Sequence, residues 1–424
     1  MLPANLREDF PLLTRTVRNG KPLVYLDSGA TAQKPRVVLD AERDFYEAHN
    51  AAVQRGAHLL AEEATELFEG ARADVAAFVG AQAEEIVWTE NATAAINLVA
   101  SGMGNASAGI GGDESARFRL GPGDEICVTE TEHHANLVPW QALATRTGAT
   151  LRWLPVDDEG RMILDDLDQL VTERTRVLAF THVSNVTGLI SPVQTLVERA
   201  KAVGAFTVLD GCQSVPHLPV DVRALDIDFM AMSAHKMLGP TGIGALYGRK
   251  ELLDALPPSI FGGGAVKVVT MEETSWQEAP MRFEAGSQPV AQIVGMGAAA
   301  RYLGGLGMAE VEAHERHIAA IMREGVAQIP GVRLLGPIGD ENARDVIGLA
   351  TVVVDGVHPH DVGQVLDDAG IAVRVGHHCN QPLHRRFGVT GSTRASAHVY
   401  TTEDDARAFI EALATVPAFF GVSS

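Results

Sequence analysis

Short apolar runs that stop abruptly at polar residues constrain the fold of this chain more than any other feature of its sequence. Within residues 206–248, one run ends at Asp210 and a second, 229–232, ends at Ser233, after which a glycine-rich turn leads into a third, 243–247. Runs of this kind are typical of buried strands in a parallel sheet. Binding sites of open α/β sheets lie beyond the carboxyl ends of the strands, so we expect chemistry at these polar positions.

Strand and helix patterns alternate through the first part of the chain. We predict strands at 23–31, 85–90, 125–130, 150–156, 176–183 and 206–209, and helices at 60–79, 94–99, 137–148, 164–172 and 193–203. This alternation predicts an α/β fold, with a mostly parallel sheet and helices on both faces. Residues 101–120 are rich in Gly, Ser and Ala, and we predict an exposed, mobile insertion without chemistry there.

The pattern changes after Gly248, which predicts a second domain. We expect loops and short strands at 261–270 and 282–290, and then a long helix at 307–328. Strands at 332–336, 347–356, 371–376 and 393–400, with helices at 360–369 and 402–416, predict a smaller α+β domain. At 424 residues the chain exceeds one typical core. We predict an N-terminal segment, 1–20, that packs with the small domain, a large domain at 21–295 and the small domain at 296–424.

Charge and motif content exclude several function classes. The formal net charge of −20 argues against a nucleic-acid or anionic-membrane partner, since both require a basic face. The sequence has no G-x-G-x-x-G or G-x-x-x-x-G-K-[ST] motif, so it does not favour a nicotinamide or nucleoside-triphosphate cofactor. No apolar run is long enough to span a membrane, and the N-terminus lacks a signal pattern. Cys127, Cys212 and Cys379 show no C-x-x-C spacing, and we expect a reducing cytoplasm.

An aspartate and a lysine at two strand ends indicate pyridoxal 5′-phosphate (PLP) chemistry. A buried Asp210 can keep a pyridinium nitrogen protonated, and the Lys236 amine can form a Schiff base with an aldehyde. Either residue alone also fits an ordinary strand-end aspartate or a solvated lysine. Thr93 begins a helix after the 85–90 strand, where backbone N–H groups can bind an anion. His133 follows the 125–130 strand and can lie flat against an aromatic cofactor.

A second chemical centre is predicted around Cys379. Cationic groups lower the pKa of a thiol, and six candidate cations are close in sequence: Arg374, His377, His378, His384, Arg385 and Arg386. A zinc site and an inert surface thiol are the alternatives. The spacing of these residues does not favour a zinc site, because adjacent residues of an extended segment point to opposite faces. Arg394 is a candidate carboxylate fork, since guanidinium binds carboxylates through two parallel hydrogen bonds.

These residues together resemble the class II, SufS-like cysteine desulfurases, a branch of the fold-type I PLP enzymes in aminotransferase class V. The matching stretches include YLDSGATAQKP, AAVQRGAH, TEHHANLVPWQ, THVSNVTG, VLDGCQSVPH, SAHKMLGPTGIGALYG, RFEAGS, VRVGHHC and TRAS. They occur in order from about residue 23 to residue 400, so the resemblance covers nearly the whole chain.

The resemblance implies a PLP site in a homodimer. It implies that Lys236 bonds the cofactor and moves protons at the substrate Cα, while Asp210 pairs with the pyridine nitrogen. The ring hydroxyl and the ring face would contact Gln213 and His133. The implied phosphate group comprises Ala92, Thr93, Ser233 and His235, with Ser287 contributed by a second subunit.

The resemblance also implies the reaction. L-cysteine would be held through its carboxylate by Asn185, Arg394 and Arg374, and converted to L-alanine. Cys379 would hold the sulfur as a persulfide and pass it to an acceptor protein, for iron–sulfur cluster assembly. No metal is expected.

Alternatives on the same scaffold are a selenocysteine lyase, a cysteine-sulfinate desulfinase and a pathway-specific sulfur donor. A catalytically silent assembly scaffold is a more distant alternative. The pathway-specific alternative comes from departures from the family pattern at Gln54, Ala92, 261–267, 286–292 and 399–402.

Overall fold

The computed structural model describes residues 2–338 and 345–422. Its strands, in chain order, are β1 (Val24–Tyr25), β2 (Ile86–Thr89), β3 (Glu125–Thr129), β4 (Thr150–Leu154), β5 (Thr175–Thr181), β6 (Phe206–Asp210), β7 (Phe229–Ser233), β8 (Gly244–Gly248), β9 (Val266–Val269), β10 (Thr274–Trp276), β11 (Val332–Leu335), β12 (Leu349–Val354), β13 (Ile371–Ala372), β14 (Arg374–Gly376) and β15 (Ser392–Ser396).

The α-helices are α1 (Arg36–Asp44), α2 (Leu59–Phe78), α3 (Ala92–Ser107), α4 (Val138–Thr147), α5 (Leu167–Leu170), α6 (Val193–Val203), α7 (Val222–Leu225), α8 (Lys250–Ala255), α9 (Val290–Leu306), α10 (Met308–Ala327), α11 (Pro359–Asp368), α12 (Gln381–Arg386) and α13 (Glu403–Phe419). Within the two described ranges, no helix combines the length and the apolar character needed to cross a membrane.

The large sheet confirms the predicted fold class. Across the described residues its strand order is β2-β8-β7-β6-β5-β3-β4. The pairs from β4 through β7 are parallel, whereas β8 runs antiparallel to both β7 and β2. A parallel strand must return through a crossover connection, and helices supply it here. The sheet is therefore mostly parallel, as the alternation of patterns predicts.

Both faces of this sheet are buried along its inner strands. Along β5, Val177 and Ala179 belong to one apolar cluster, while Leu178 and Phe180 belong to another. Successive strand residues point to opposite faces, so this division places one cluster on each side of the sheet. All four side chains are fully buried. Burial on both sides explains why these strands appear in the sequence as continuous apolar runs rather than alternating ones.

The sheet brings several strand ends to one edge. Thr181 at the end of β5 pairs with Asp210 at the end of β6, and β7 ends beside them at Ser233. Since β2 and β8 are antiparallel, the start of β8 at Gly244 and the start of α3 reach the same edge. A Cβ at Gly244 would lie 2.5 Å from Met232 O and 2.8 Å from Asn91 Cα. Only glycine allows the start of α3 to approach β7 so closely.

The predicted exposed insertion at 101–120 is wrong at both of its ends. α3 continues to Ser107, and Met103 and Phe118 are buried in the core. The Gly and Ala content, which suggested a loop, serves packing instead. A Cβ on Gly102 would lie 2.7 Å from Leu256 Cγ, so glycine permits α3 to approach that residue. Small residues therefore mark a close contact here rather than an exposed segment.

Two further differences concern the region after Gly248. Helix α9 was not predicted, because its composition is apolar and Gly/Ala-rich on all sides and shows no amphipathic periodicity. The single strand predicted at 371–376 is two strands, because β13 pairs with β1 while β14 pairs with β15. One continuous apolar run thus serves two different sheets.

A second sheet, with order β11-β12-β15-β14, is antiparallel throughout. Helices α10, α11 and α13 pack on it around a separate apolar cluster. The N-terminal segment contacts this region, where Arg7 Nη1 donates to Asp405 Oδ2 at 2.6 Å. The predicted domain division after residue 295 falls within α9, and it stays a prediction.

Candidate active site

A cavity of about 400 Å³ lies at the shared edge of the strand ends. This volume is within the range of roughly 300–1,000 Å³ that is usual for small-molecule sites. Most of the predicted site residues line it: Ala92, Thr93, His133, Asn185, Asp210, Gln213, Ser233, His235, Lys236, Arg374 and Arg394. Glu90, Cys212, Thr241 and Gly242, which we did not predict, also line it. Residues from both sheets therefore meet at one cavity.

Lys236 ends a short 3₁₀ turn that follows β7. The carbonyl of His235 accepts hydrogen bonds from Ala32 N at 2.8 Å and from Thr31 Oγ1 at 3.2 Å. The carbonyl of Lys236 accepts one from His398 Nε2 at 3.1 Å. Segments from near both ends of the chain therefore fix the backbone on which the lysine amine is mounted.

His398 belongs to a buried cluster with His217 and Glu315, whose candidate ligand atoms lie within 4.8 Å of one another. The ring nitrogens of His398 are both engaged, because Nδ1 accepts from Val399 N at 2.8 Å while Nε2 donates to Lys236 O. Glu315 Oε1 is hydrogen-bonded to His217 Nδ1 at 3.0 Å. These hydrogen bonds explain why the three residues cluster, and through His398 the cluster supports the backbone of the Lys236 turn.

The imidazole of His133 is neutral at physiological pH. Burial, followed by the positive charge of Lys236, lowers its pKa to about 4. Its Nδ1 accepts from Ala135 N at 3.1 Å, so the ring proton resides on Nε2. His235 is similar, since burial and then Lys236 lower its pKa to about 4. Neutral, flat rings beside the lysine can cover an aromatic ligand without repelling the amine.

Asp210 is a buried acceptor on the cavity wall. It is 4% exposed, and its Oδ1 accepts from Cys212 N at 2.9 Å. That bond orients the carboxyl group without using both oxygens. Gln213 donates through Nε2 to Gly29 O at 2.9 Å, and its amide nitrogen carries a second hydrogen. The wall therefore offers both an acceptor and a donor to one bound ring.

The start of α3 forms an anion site against Ser233. The Ser233 hydroxyl oxygen accepts from Ala92 N at 2.8 Å, which leaves its own hydrogen available for donation. Asn91 caps the helix by accepting from Ala94 N at 2.9 Å. Thr93 is in the first turn of this long helix and lines the cavity. A helix start with nearby hydroxyl donors favours a phosphate group.

Arg394 offers unused donors inside the cavity. The residue is 1% exposed, and Nη1 donates to Asn185 O at 2.8 Å. Among the described residues, Nε and Nη2 have no hydrogen-bond partner, and Asp27 Oδ1 lies 3.7 Å from Nη2. Burial lowers the pKa of the guanidinium to about 10, which still leaves it charged at neutral pH. A buried cation with free N–H groups fits a ligand carboxylate.

Cys379 lies on a tight turn of residues 377–380, which we call the cysteine turn. Asn380 N donates to His377 O at 2.8 Å, and the two central residues have positive φ, +51° for His378 and +56° for Cys379. These signs are those of a type I′ turn, which favours Asn, Asp or Gly at both central positions. Any other residue held in such a sparsely populated backbone conformation destabilises the fold by roughly 1–3 kcal/mol. It keeps that conformation only where surrounding contacts hold it there.

The structure corrects one prediction about this turn. We expected His378 and His384 among the cations that lower the pKa of the Cys379 thiol. Both side chains are buried instead. Burial is the largest of the effects that lower the pKa of each imidazole, and the pKa of His378 falls to about 2. Both rings are therefore neutral at physiological pH. Local sequence does not reveal this, because burial is set by packing.

Cys379 does not line this cavity, and neither does the remaining predicted residue, Ser287. It lies in a second cavity of about 550 Å³, together with Gln54, Arg55 and the loop at Gly263 and Gly264. Apolar side chains are exposed on the adjacent segment that includes the β9–β10 hairpin: Ile260, Phe261, Val268, Val269 and Met271. Within one chain, Ser287 is thus separate from Lys236.

Comparison with known proteins gives one consistent result. Residues 24–409 match the aminotransferase class-V family. A probable cysteine desulfurase of Mycobacterium leprae is 54% identical to this chain, covering 98% of the chain and 97% of that protein. A probable cysteine desulfurase of Streptomyces coelicolor is 48% identical, with the same coverage.

Solved structures agree with these sequence matches. The apo cysteine desulfurase of Thermococcus onnurineus superposes with a TM-score of 0.90 at 36% identity, covering 98% of both chains. The cysteine desulfurase CsdA of Escherichia coli superposes with a TM-score of 0.87 at 38% identity, covering all of both chains.

Proposed function

Because the chain belongs to the aminotransferase class-V family and is a PLP-dependent cysteine desulfurase, we propose that Lys236, Asp210 and Cys379 carry out its reaction. The observation that supports this most is that Lys236, Asp210 and Arg394 line one cavity, in which two buried Arg394 donors have no hydrogen-bond partner among the described residues. An amine, a carboxylate and a guanidinium so placed can serve a pyridine aldehyde and an amino-acid substrate together.

The residues around the cavity fit PLP. The helix start at Thr93 and the Ser233 hydroxyl suit its phosphate. Asp210 would accept from a protonated pyridine nitrogen. His133 can cover the ring, and Gln213 can donate to the ring hydroxyl. When bound, the cofactor supplies an electron sink for a carbanion at the substrate Cα.

The chain's own groups then bind the substrate and move its protons. Arg394 and Arg374 would hold the L-cysteine carboxylate, with Asn185 beside them, which fixes the Cα–H bond toward Lys236. The Lys236 amine would take the proton from Cα and return it later in the reaction. The neutral rings of His133 and His235 add no positive charge beside that amine.

Cys379 would receive the sulfur. Its thiolate attacks the substrate sulfur atom, the carbon–sulfur bond breaks, and the sulfur remains on Cys379 as a persulfide. The electron pair of that bond stays with the substrate carbon, which takes up a proton, and the three-carbon amino acid leaves as L-alanine. A thiol of an acceptor protein would then attack the persulfide, and we propose that this sulfur supplies iron–sulfur cluster assembly. The reaction needs Cys379 as a reduced thiol, so we propose that it occurs in the cytoplasm.

We further propose a homodimer that completes the site. Ser287 lies away from Lys236 within one chain, and the exposed apolar side chains at 260–271 adjoin the Ser287 cavity. Exposed apolar patches mark interaction sites. A second copy placed there would cover the patch and bring Ser287 toward the phosphate end of its neighbour's cavity.

Single-turnover mass spectrometry tests the proposed chemistry. The holoenzyme is mixed with L-cysteine beside Lys236→Ala and Cys379→Ala. We expect one added sulfur on the Cys379 peptide and one alanine released by the native protein, and neither with Lys236→Ala. Cys379→Ala should retain the absorbance change on cysteine binding but form no persulfide.

Other outcomes would contradict specific parts of the proposal. Full persulfide formation on another cysteine in the Cys379→Ala variant would overturn the role of Cys379. Selenocysteine serves as a comparison substrate. If Cys379→Ala still releases selenium while sulfur release stops, the thiol is needed only for sulfur.

A further inference from the structure

The cysteine turn is strained, so its surroundings must hold it. Neither central residue is glycine, although both have positive φ. On one side, a backbone group and a side chain at the edge of the large sheet contact it. His134 N donates to Cys379 O at 2.8 Å, and Asn185 Nδ2 donates to His378 O at 2.7 Å. These bonds fix the carbonyls of the turn but leave its other face to be held from the second sheet.

A chain of buried hydrogen bonds holds that other face. The donor and the acceptor of each bond can be assigned by starting from one carbonyl group. The carbonyl of Asn380 can only accept, so His384 Nδ1 donates to it at 2.8 Å. A neutral His384 then presents a lone pair at Nε2, to which the Ser392 hydroxyl donates at 2.9 Å. The Ser392 oxygen in turn accepts from His378 Nε2 at 2.9 Å.

Neutral rings are required for this arrangement, and burial provides them. His378, His384 and Ser392 are between 0% and 4% exposed. Burial is the first cause that lowers the pKa of His378, followed by the charge of Arg394. A protonated His384 would have no lone pair for the Ser392 hydroxyl. The network therefore has one arrangement of its protons, with Ser392 at its centre.

We propose that the Ser392 hydroxyl is a positioning group for sulfur capture, acting through His378 and His384 to hold the cysteine turn in its left-handed conformation. Ser392 binds to the residues on both sides of Cys379, namely His378 directly and Asn380 through His384. It thereby fixes the direction in which the Cys379 sulfur leaves the backbone. This inference rests on the proposed role of Cys379 as the sulfur acceptor.

The position of Ser392 on β15 offers a matched control. Ser392 and Thr393 are adjacent and both buried, but they point to opposite faces of the strand. The Thr393 hydroxyl makes a long bond, 3.4 Å, to Pro359 O and does not reach the cysteine turn. Thr393→Val removes a buried hydroxyl from the same strand and keeps its shape. Ser392→Thr keeps the hydroxyl at the tested position.

Two measurements test the inference with Ser392→Ala. The first is the rate at which iodoacetamide alkylates Cys379 in the cofactor-free protein across pH, read by peptide mass spectrometry. We expect faster alkylation, since the turn is released. The second is persulfide formation on Cys379 in the holoenzyme, which we expect to slow by roughly ten- to hundredfold, as a small displacement of reacting groups does. The absorbance change on L-cysteine binding should keep its native rate.

The controls separate positioning from loss of fold. Thr393→Val should match the native protein in both measurements, and Ser392→Thr should recover most of the native persulfide rate. Native alkylation and capture rates in Ser392→Ala would overturn the inference, and so would equal losses in Ser392→Ala and Thr393→Val. If Cys379 is not the sulfur acceptor, a different result is expected. Cys379→Ser would then keep full sulfur release, while Ser392→Ala would still speed up the alkylation of Cys379.

Discussion

At the scale of single residues, the environment of Arg394 is the clearest indication that the ligand carries a carboxylate. Its charge is buried, and two of its nitrogen donors lack a hydrogen-bond partner within the described part of the chain. Leaving a charged donor buried and unpaired costs free energy that a bound carboxylate recovers. The residue is therefore set up for a ligand rather than for the stability of the fold.

Arg394→Lys should weaken substrate binding. Lysine keeps the charge but loses the planar fork, so a bidentate contact becomes a single one. A lost hydrogen bond to a charged group is worth about 1.5–3 kcal/mol, which corresponds to a rise in KM for L-cysteine of roughly 10- to 100-fold. Steady-state kinetics measures it. Arg152→Lys, at a partly buried ion pair with Glu125 outside the cavity, is the control and should leave KM unchanged.

Which residues could be predicted from sequence depends on what holds them. Asp210, Lys236 and His133 follow apolar strands directly, so their place at the sheet edge could be read from the chain. Ser392 could not, because its role comes from contacts with His378 and His384 across a turn. The charge state of those histidines was also wrong in the prediction, since packing rather than local sequence determines it.

At the scale of elements, small residues decide how closely helices approach. Gly102 lets α3 lie against Leu256, and the Gly- and Ala-rich α9 is buried between α1 and α2. Such helices lack the one-sided apolar pattern that marks an amphipathic helix. The sequence therefore predicts the amphipathic α2 and α6 well, whereas it misses α9 and the second half of α3.

Two glycine variants should change stability in opposite directions. Gly102→Ala places a Cβ 2.7 Å from Leu256 Cγ and should destabilise the protein by about 1–3 kcal/mol through overpacking. Gly70→Ala, on the exposed face of α2, has open space at its Cβ and should stabilise it by up to about 1 kcal/mol. Urea denaturation midpoints report both. A stabilising Gly102→Ala would contradict the close packing of α3.

At the scale of the whole molecule, buried neutral histidines make stability depend on pH. Burial lowers the pKa to about 4 for His182 and to about 3 for both His217 and His398. In the unfolded chain these groups return to an ordinary pKa near 6.5. Between these values the unfolded chain binds protons that the folded protein does not. The stabilisation is present above pH 6.5 and is lost as pH falls toward the folded pKa.

His182 isolates this effect, because burial is the cause of its shift. Between pH 6.5 and pH 5 the native protein should lose about 2 kcal/mol of unfolding free energy through this residue. His182→Gln cannot charge, so its urea midpoint should fall less between pH 7 and pH 5. The exposed His360→Gln should retain the native pH dependence. Parallel curves for the native protein and His182→Gln would contradict the assignment.

The hydrogen bonds around the Lys236 turn also bear on protein synthesis. One carbonyl there is held by Ala32, which precedes Lys236 in the chain, and the next is held by His398, which a ribosome makes long after Lys236. A nascent or truncated polypeptide that stops before His398 cannot finish this turn. Lys236 is thus synthesised well before the residue that completes the hydrogen bonding of its own turn.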